Sequence, residues 1–251
     1  MNLFKKLMKK NNKINILNLN ERMLKNKLFA LYDEKQEIFI DRKETLLAKL
    51  CDKYGSDKGS ERIGRNVYPW PAHTYTNYYA RLFNSSRFYI QRVFECGIGT
   101  RQPNIPANMG VNGMPGASLR VWQEYFPAAD IYGADIDSSV LFQEGRIRTF
   151  YVDQTSPASI EAMWNNIDKC DFDIIIDDGL HEFEAGICLF ENSISKLRET
   201  GLYVIEDVIQ SDLIKYVNYF KSKSYYAECV LLNRKNAPLN DNNLIIIRKN
   251  M

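Results

Sequence analysis

Asp173-Ile174-Ile175-Ile176-Asp177-Asp178-Gly179-Leu180-His181 is a short apolar run that ends in two carboxylates and then, three residues after the second, an imidazole. A continuous apolar run bounded by turn chemistry reads as a strand buried on both faces, of the kind a parallel sheet contains. A second run, Leu202-Tyr203-Val204-Ile205, closes the same way in Glu206-Asp207. Two neighbouring strand tips of this kind bring four carboxylates and one histidine together, enough for a metal ion and a general base.

Outward from these runs, strand-like and helix-like segments alternate, the signal of a parallel sheet with crossover helices. The pattern predicts strands at residues 92–96, 131–134, 148–152, 172–176 and 202–205. Helices are expected over residues 118–125, 138–143, 156–166, 182–197 and 211–221. Residues 225–232 and 244–248 are strand-like runs joined by a turn-rich connection too short for a crossover helix, so they should pair antiparallel. The expected fold is α/β, a doubly wound Rossmann-like sheet of five parallel strands plus a C-terminal antiparallel hairpin, with an N-terminal helical extension. Residues 1–45 read as leader and helical extension, residues 46–90 as a helical cap segment contributing to the site, and residues 91–251 as the main domain.

Composition narrows the function classes. The 251 residues carry Lys+Arg 33 against Asp+Glu 31, a formal charge of +2. That is no global basic field, which argues against a nucleic-acid partner. The cysteines Cys51, Cys96, Cys170, Cys188 and Cys229 are scattered and form no CxxC, so neither a disulfide framework nor a zinc site is expected. No stretch approaches the ~20 apolar residues of a membrane span, and the basic N-terminus lacks the apolar core of a secretory signal. A cytoplasmic protein is expected. Leu3, Phe4, Leu7 and Met8 have helical spacing among lysines, which reads as a solvated arm or an oligomer contact rather than a membrane anchor.

In a doubly wound sheet, ligands bind beyond the carboxyl ends of the strands, where the strand order reverses. Every expected parallel strand ends there in acids or glycine: Glu95-Cys96-Gly97-Ile98-Gly99-Thr100, then Asp135, Asp153-Gln154, Asp177-Asp178 and Glu206-Asp207. The glycines Gly97 and Gly99 let backbone approach a ligand closely, and an acid closing the second strand can accept from both hydroxyls of a ribose. The first turn lacks the third glycine of Gly-x-Gly-x-x-Gly and runs into a long loop, Arg101 to Gly116, instead of a helix N-terminus. NAD and FAD are therefore disfavoured, and no Gly-Lys-Ser/Thr supports ATP. S-adenosylmethionine has no phosphate and suits this turn. Its expected contacts are Glu95, Gly97, Gly99, Thr100, Asp135, Asp153 and Gln154, with Asp177 in support. The long loop reads as a lid.

Val93 to Thr100, Ile131 to Asp137 and the terminal hairpin resemble the class I S-adenosylmethionine-dependent methyltransferases. Asn108 to Arg120 is similar to bacterial methyltransferases of capsular and surface-polysaccharide clusters. Ile176 to His181 with Val204 to Asp207 resembles the metal-dependent sugar O-methyltransferases of macrolide biosynthesis. That resemblance implies magnesium on Asp178, Glu206 and Asp207, with His181 as general base; manganese accepts similar ligands. It also implies that an Asp-Lys-Gly followed by His-x-Tyr-Thr, here Lys58, His73 and Tyr75, lies over the cofactor pocket. The halves are separated by Glu61 to Ala72, where Arg62 and Arg65 could grip a diphosphate.

The activity so implied is O-methylation of a sugar hydroxyl in capsular or surface-polysaccharide biosynthesis. The acceptor is a small-molecule sugar or nucleotide-sugar, and a homo-oligomer is left open. Three rivals stay open: methylation of a capsular phosphoramidate, whose anionic oxygen needs no base, a non-catalytic cofactor-binding subunit, and a hydride-transferring dehydrogenase. Glu206 and Asp207 also have a plain alternative as caps of the following helix.

Overall fold

The computed structural model describes residues 35–39, 45–59, 68–223, 225–233 and 240–249. Arg62, Arg65 and the basic N-terminal arm lie outside them. In chain order, β1 (Lys35–Phe39) is followed by helices α1 (Leu46–Tyr54) and α2 (Tyr75–Phe83). Next come β2 (Arg92–Cys96), α3 (Ala117–Tyr125), β3 (Asp130–Asp135), β4 (Gln143–Glu144), β5 (Ile147–Tyr151) and α4 (Pro157–Ile167). β6 (Phe172–Asp177), α5 (Phe183–Ser193), β7 (Leu197–Ile205), α6 (Leu213–Ser222), β8 (Tyr226–Asn233) and β9 (Asn243–Arg248) complete the described chain.

The strands form one sheet in the order β1-β8-β9-β7-β6-β2-β3-β5-β4. β2 pairs in parallel with both β3 and β6; from it the chain runs one way to β5 and the other way to β7. The strand order reverses between β2 and β6, and a crevice opens at their carboxyl ends. β9 lies antiparallel between β7 and β8, as the turn-rich connection requires. Among the described residues no helix is long and apolar enough to cross a membrane.

β6 is buried along its whole length because it is covered on both faces. One core packs Phe94, Trp164, Phe172 and Phe190 among α4, α5 and α6. The other packs Leu47, Tyr79, Trp122 and Ile131 among α1, α2 and α3. Local signals set the helix ends. Ser156 caps α4, whose first turn holds Pro157. Thr45 caps α1, and Gly55 ends it in the left-handed conformation at φ 87°. That stop sends Ser56 to Gly59 toward the sheet's carboxyl edge.

Three local expectations change. Residues 138–143 do not form a helix: a short 3-10 turn at Ser138–Val140, capped by Asp137, leads into β4, which pairs antiparallel with β5 across Gly145 at φ 57°. The helix expected to reach residue 197 ends its α-helical part at Ser193, followed by a 3-10 turn. Within the expected helical extension, Lys35–Phe39 is an edge strand parallel to β8. Lys-Gln-Glu-Ile-Phe has no alternation to announce a strand; its pairing is a tertiary contact.

Gly97 also changes its meaning. At φ 85° it sits in the left-handed region, and a Cβ there would run into the carbonyl of Asp178 rather than into ligand space. Gly97→Ala is expected to destabilise the fold by about 3 kcal/mol, seen as a fall in Tm of roughly 6–12 °C in a thermal melt.

Candidate active site

Four strand tips are laced together before any side chain acts. The Gly97 N–H donates to Ala134 O, the Asp178 N–H to Cys96 O and the Glu206 N–H to Asp177 O, at 2.8, 2.9 and 2.9 Å. Beside them lies a cavity of about 400 Å³. Its size falls in the range of small-molecule sites. One wall is formed by Gly97 to Thr100, Asp135, Asp153 and Gln154; the other by Asp57, Lys58, Tyr68, Trp70, His73 and Tyr75. Asp178, His181, Glu206 and Asp207 also line it.

On the first wall, Asp135 Oδ2 accepts from the Ile98 and Gly99 N–H groups and Oδ1 from the Asp137 N–H. The carboxylate thus shapes the first turn and keeps lone-pair capacity for a ligand hydroxyl. Thr100 donates to Asp137 at 2.5 Å, an acid the sequence reading passed over although Asp135-x-Asp137 is plainly visible. Gly99, at φ 92°, leaves room for the Met109 side chain. The Met109 N–H bonds Thr100 O and the Gly116 N–H bonds Ile98 O, which folds the long loop back so that Ile105 to Met109 line the cavity.

Two residues expected at the cofactor lie behind the wall. Glu95 is fully buried; it accepts from Trp122 Nε1, its other oxygen is 3.5 Å from Lys58 Nζ, and burial raises its carboxyl. Asp177 accepts from Gln154 Nε2 at 2.6 Å and from the Gly179 N–H at 3.3 Å. Burial pushes its carboxyl up to about 6. Gln154 accepts in turn from the Leu180 N–H at 2.9 Å. It therefore braces the turn that carries His181.

The acids on the second wall are divided between protein partners and the cavity. Lys58 Nζ donates to Asp178 Oδ2 at 2.5 Å and to Glu206 Oε2. Tyr79 donates to Glu206 Oε1, so both oxygens of Glu206 are engaged. Tyr75 donates to Asp207 Oδ1, and His73 Nδ1 is 3.1 Å from that atom. His181 Nε2 stands 3.3 Å from Asp178 Oδ1 and 3.6 Å from Asp207 Oδ2. His181 and Asp207 hold left-handed φ angles of 60° and 51°, strain that persists only where surrounding structure over-determines it.

Charge follows this geometry. Burial disfavours charge on Lys58, but Asp178, Glu206 and Glu95 outweigh it and hold the ammonium well above its ordinary range. Against the same burial penalty, Asp207 and Asp178 raise His181 to about 10, and Asp207 raises His73 to about 9. Asp207, though buried, is kept below the usual carboxylate range by His73 and His181.

Ligand atoms of Asp178, His181 and Asp207 lie within 4.8 Å of one another, a set able to hold a metal ion. Carboxylate oxygens suit a hard divalent cation such as magnesium or manganese. Glu206, expected as a third carboxylate ligand, turns its oxygens to Lys58 and Tyr79. Lys58, expected only near the acceptor or lid, sits at the centre of the acidic group. The backbone shows why: the His73, Thr74 and Thr76 N–H groups bond the carbonyls of Asp57, Gly59 and Lys58, so the two halves of the split motif are clasped despite the residues between them.

No protein-family model matches the chain. Over 162 residues, 64% of this chain, it is 35% identical to the 8-demethyl-8-alpha-L-rhamnosyl tetracenomycin-C 2'-O-methyltransferase of Streptomyces olivaceus, of which the match covers 37%. It is 37% identical over 54% of its length to demethylmacrocin O-methyltransferase of Streptomyces fradiae, covering 32% of that protein. The chain thus spans about a third of the length of the curated relatives it matches. Among solved structures, the MycE methyltransferase of the mycinamycin pathway, in complex with Mg, SAH and mycinamycin VI, aligns over 82% of this chain and 55% of its own, with TM-score 0.58 and 26% identity. The sheet has the Rossmann-like methyltransferase architecture, and in fold and sequence the chain is similar to S-adenosylmethionine-dependent sugar O-methyltransferases.

Proposed function

We propose that this chain is an S-adenosylmethionine-dependent, divalent-metal-assisted O-methyltransferase whose acceptor is a sugar hydroxyl. The observation that carries the reading is the convergence of Asp178, His181 and Asp207 on the cavity that the Gly97 to Thr100 turn also lines. Relatives named for O-methylation of rhamnosyl tetracenomycin and mycinamicin VI support a sugar acceptor. The resemblance of Asn108 to Arg120 to capsule-cluster enzymes favours a surface-polysaccharide sugar, free or nucleotide-linked.

When bound, the cofactor offers a sulfonium methyl as electrophile, and a divalent ion lowers the pKa of a hydroxyl it contacts. The chain supplies the rest. Asp135 and the Gly97 to Thr100 turn hold the adenosyl end, and the Ile105 to Met109 stretch screens that end from water. Asp178 and Asp207 are the metal-bearing carboxylates. His181 Nε2 would take the proton of an acceptor hydroxyl, while the cofactor would supply the methyl by cleavage of its carbon–sulfur bond and leave as S-adenosylhomocysteine. Lys58 balances Glu95 and Glu206 so that neither adds unpaired charge behind the reacting atoms.

The test is methyl transfer from labelled S-adenosylmethionine to a panel of sugar nucleotides and glycosides, with magnesium, with manganese and with EDTA. Transfer to a sugar that EDTA abolishes supports the reading; cofactor binding without transfer to any acceptor favours a non-catalytic subunit. Undiminished turnover in His181→Ala would favour the anionic phosphoramidate acceptor.

On the acceptor wall, Trp70 packs against Tyr68 at 5.3 Å between centroids and donates Nε1–H to Asp57 at 2.8 Å. An aromatic face with a polar handle suits one face of a sugar ring. Trp122 and Trp164 are 0% and 2% exposed, and of the three tryptophans Trp70 lines the cavity. Trp70→Ala is expected to raise the acceptor KM about tenfold, the loss of roughly 1.4 kcal/mol, with cofactor affinity unchanged.

A further inference from the structure

Both metal-facing aspartates divide their oxygens in the same way. Asp178 gives Oδ2 to Lys58 at 2.5 Å and leaves Oδ1 toward His181. Asp207 gives Oδ1 to Tyr75 and His73 and leaves Oδ2 toward His181. Two residues distant in sequence therefore present one oxygen each to the same spot. An isolated carboxylate rotates about its last bond; these are fixed by what holds the other oxygen.

His73 is built for that task. It is 5% exposed, with Nδ1 3.1 Å from Asp207 Oδ1 and Nε2 3.9 Å from Asp57 Oδ2, so its two nitrogens face carboxylates on opposite sides. Asp57 is itself held by Trp70 Nε1 at 2.8 Å. The ring lies against Tyr75 with centroids 5.2 Å apart, and Nδ1 hydrogen-bonds the Tyr75 hydroxyl oxygen at 3.2 Å. Thr74, next in the chain, takes a left-handed φ of 65° at the start of α2, and the clasp to Asp57, Lys58 and Gly59 keeps the histidine beside the tip of β7.

We propose that His73 is a positioning residue: with Nδ1 beside both Asp207 Oδ1 and the Tyr75 hydroxyl that donates to that oxygen, it holds Oδ1 and turns Oδ2 toward the divalent ion, without being a ligand itself. The inference rests on the reading that a divalent ion occupies the Asp178–Asp207 site. Outer partners of metal ligands act in this way, and their loss typically costs about 10–100-fold in metal affinity.

The test is Mn²⁺ binding to the full chain, by electron paramagnetic resonance and calorimetry, for wild type, His73→Leu, His73→Asn and His73→Gln, without cofactor or acceptor. S-adenosylhomocysteine affinity serves as the control for an intact fold. Asn places its amide nitrogen near the position of Nδ1, whereas Gln places it near that of Nε2. His73→Leu and His73→Gln are expected to bind Mn²⁺ about 10–100-fold more weakly, and His73→Asn within about threefold of wild type. All should bind S-adenosylhomocysteine alike. If the leucine variant does not fold, the contrast between Asn and Gln decides. Wild-type affinity in the leucine or glutamine variant, or an asparagine variant as weak as glutamine, overturns the inference while leaving the metal reading intact. A wild type that binds no Mn²⁺ overturns both.

Discussion

Replacing Asp178 or Asp207 with alanine should lower methyl transfer by roughly 10³-fold or more, the equivalent of about 4 kcal/mol of transition-state stabilisation. Each carboxylate offers one oxygen to the shared position beside His181, and no neighbour can replace it. Glu206 is adjacent to Asp207 in sequence, but both its oxygens are occupied by Lys58 and Tyr79. The loss should show as an inability of added magnesium or manganese to restore activity after EDTA, measured by methyl transfer from labelled cofactor. S-adenosylhomocysteine affinity should hold in Asp207→Ala, because Asp207 touches none of the groups around the Gly97 to Thr100 turn. Full activity in either variant would remove the metal from the reaction.

His181→Ala should cost about 10²–10⁴-fold in kcat, the usual contribution of a positioned base. The pH profile separates this from a structural effect. With only its carboxylates around it, His181 is held protonated up to about 10, and an imidazolium cannot accept a proton. Positive charge shared with Asp178 and Asp207 opposes that rise. The rate of a histidine base climbs with pH through its pKa, so kcat/KM should rise with unit slope and level off well below pH 10 at saturating divalent ion. With less ion the midpoint should move upward. In His181→Ala the rising limb should disappear; a limb that persists unchanged would assign the base elsewhere.

The reading of the strand tips needed little beyond the chain itself. Ile174 to Ile176 and Leu202 to Ile205 are apolar without alternation, and a strand of that kind is stable only when covered on both faces. From there the parallel sheet, its rim and the grouping of Asp178, His181 and Asp207 follow, because strand tips in such a sheet share one edge. Turn chemistry was equally legible at the Ser156 start of α4. It misled at residues 138–143, where Asp137 capped a turn instead of a helix, and at Lys35–Phe39, where pairing with β8 outweighed the absence of any strand pattern.

The division of labour inside the acidic group was not legible. Lys58 lies 120 residues from Asp178 and 148 from Glu206, and Tyr75 lies 132 from Asp207. No local pattern links such partners. Periodicity and turn residues act over a few positions and so determine, from sequence alone, the strands, their carboxyl-edge acids and the kind of chemistry they can do. Which oxygen of each acid faces the cavity, which glycine makes room for backbone rather than ligand, and which acids lie behind the wall depend on distant groups competing for the same buried hydrogen bonds. Only the packed tertiary structure settles that competition, because a buried polar group must find a partner wherever the fold brings one.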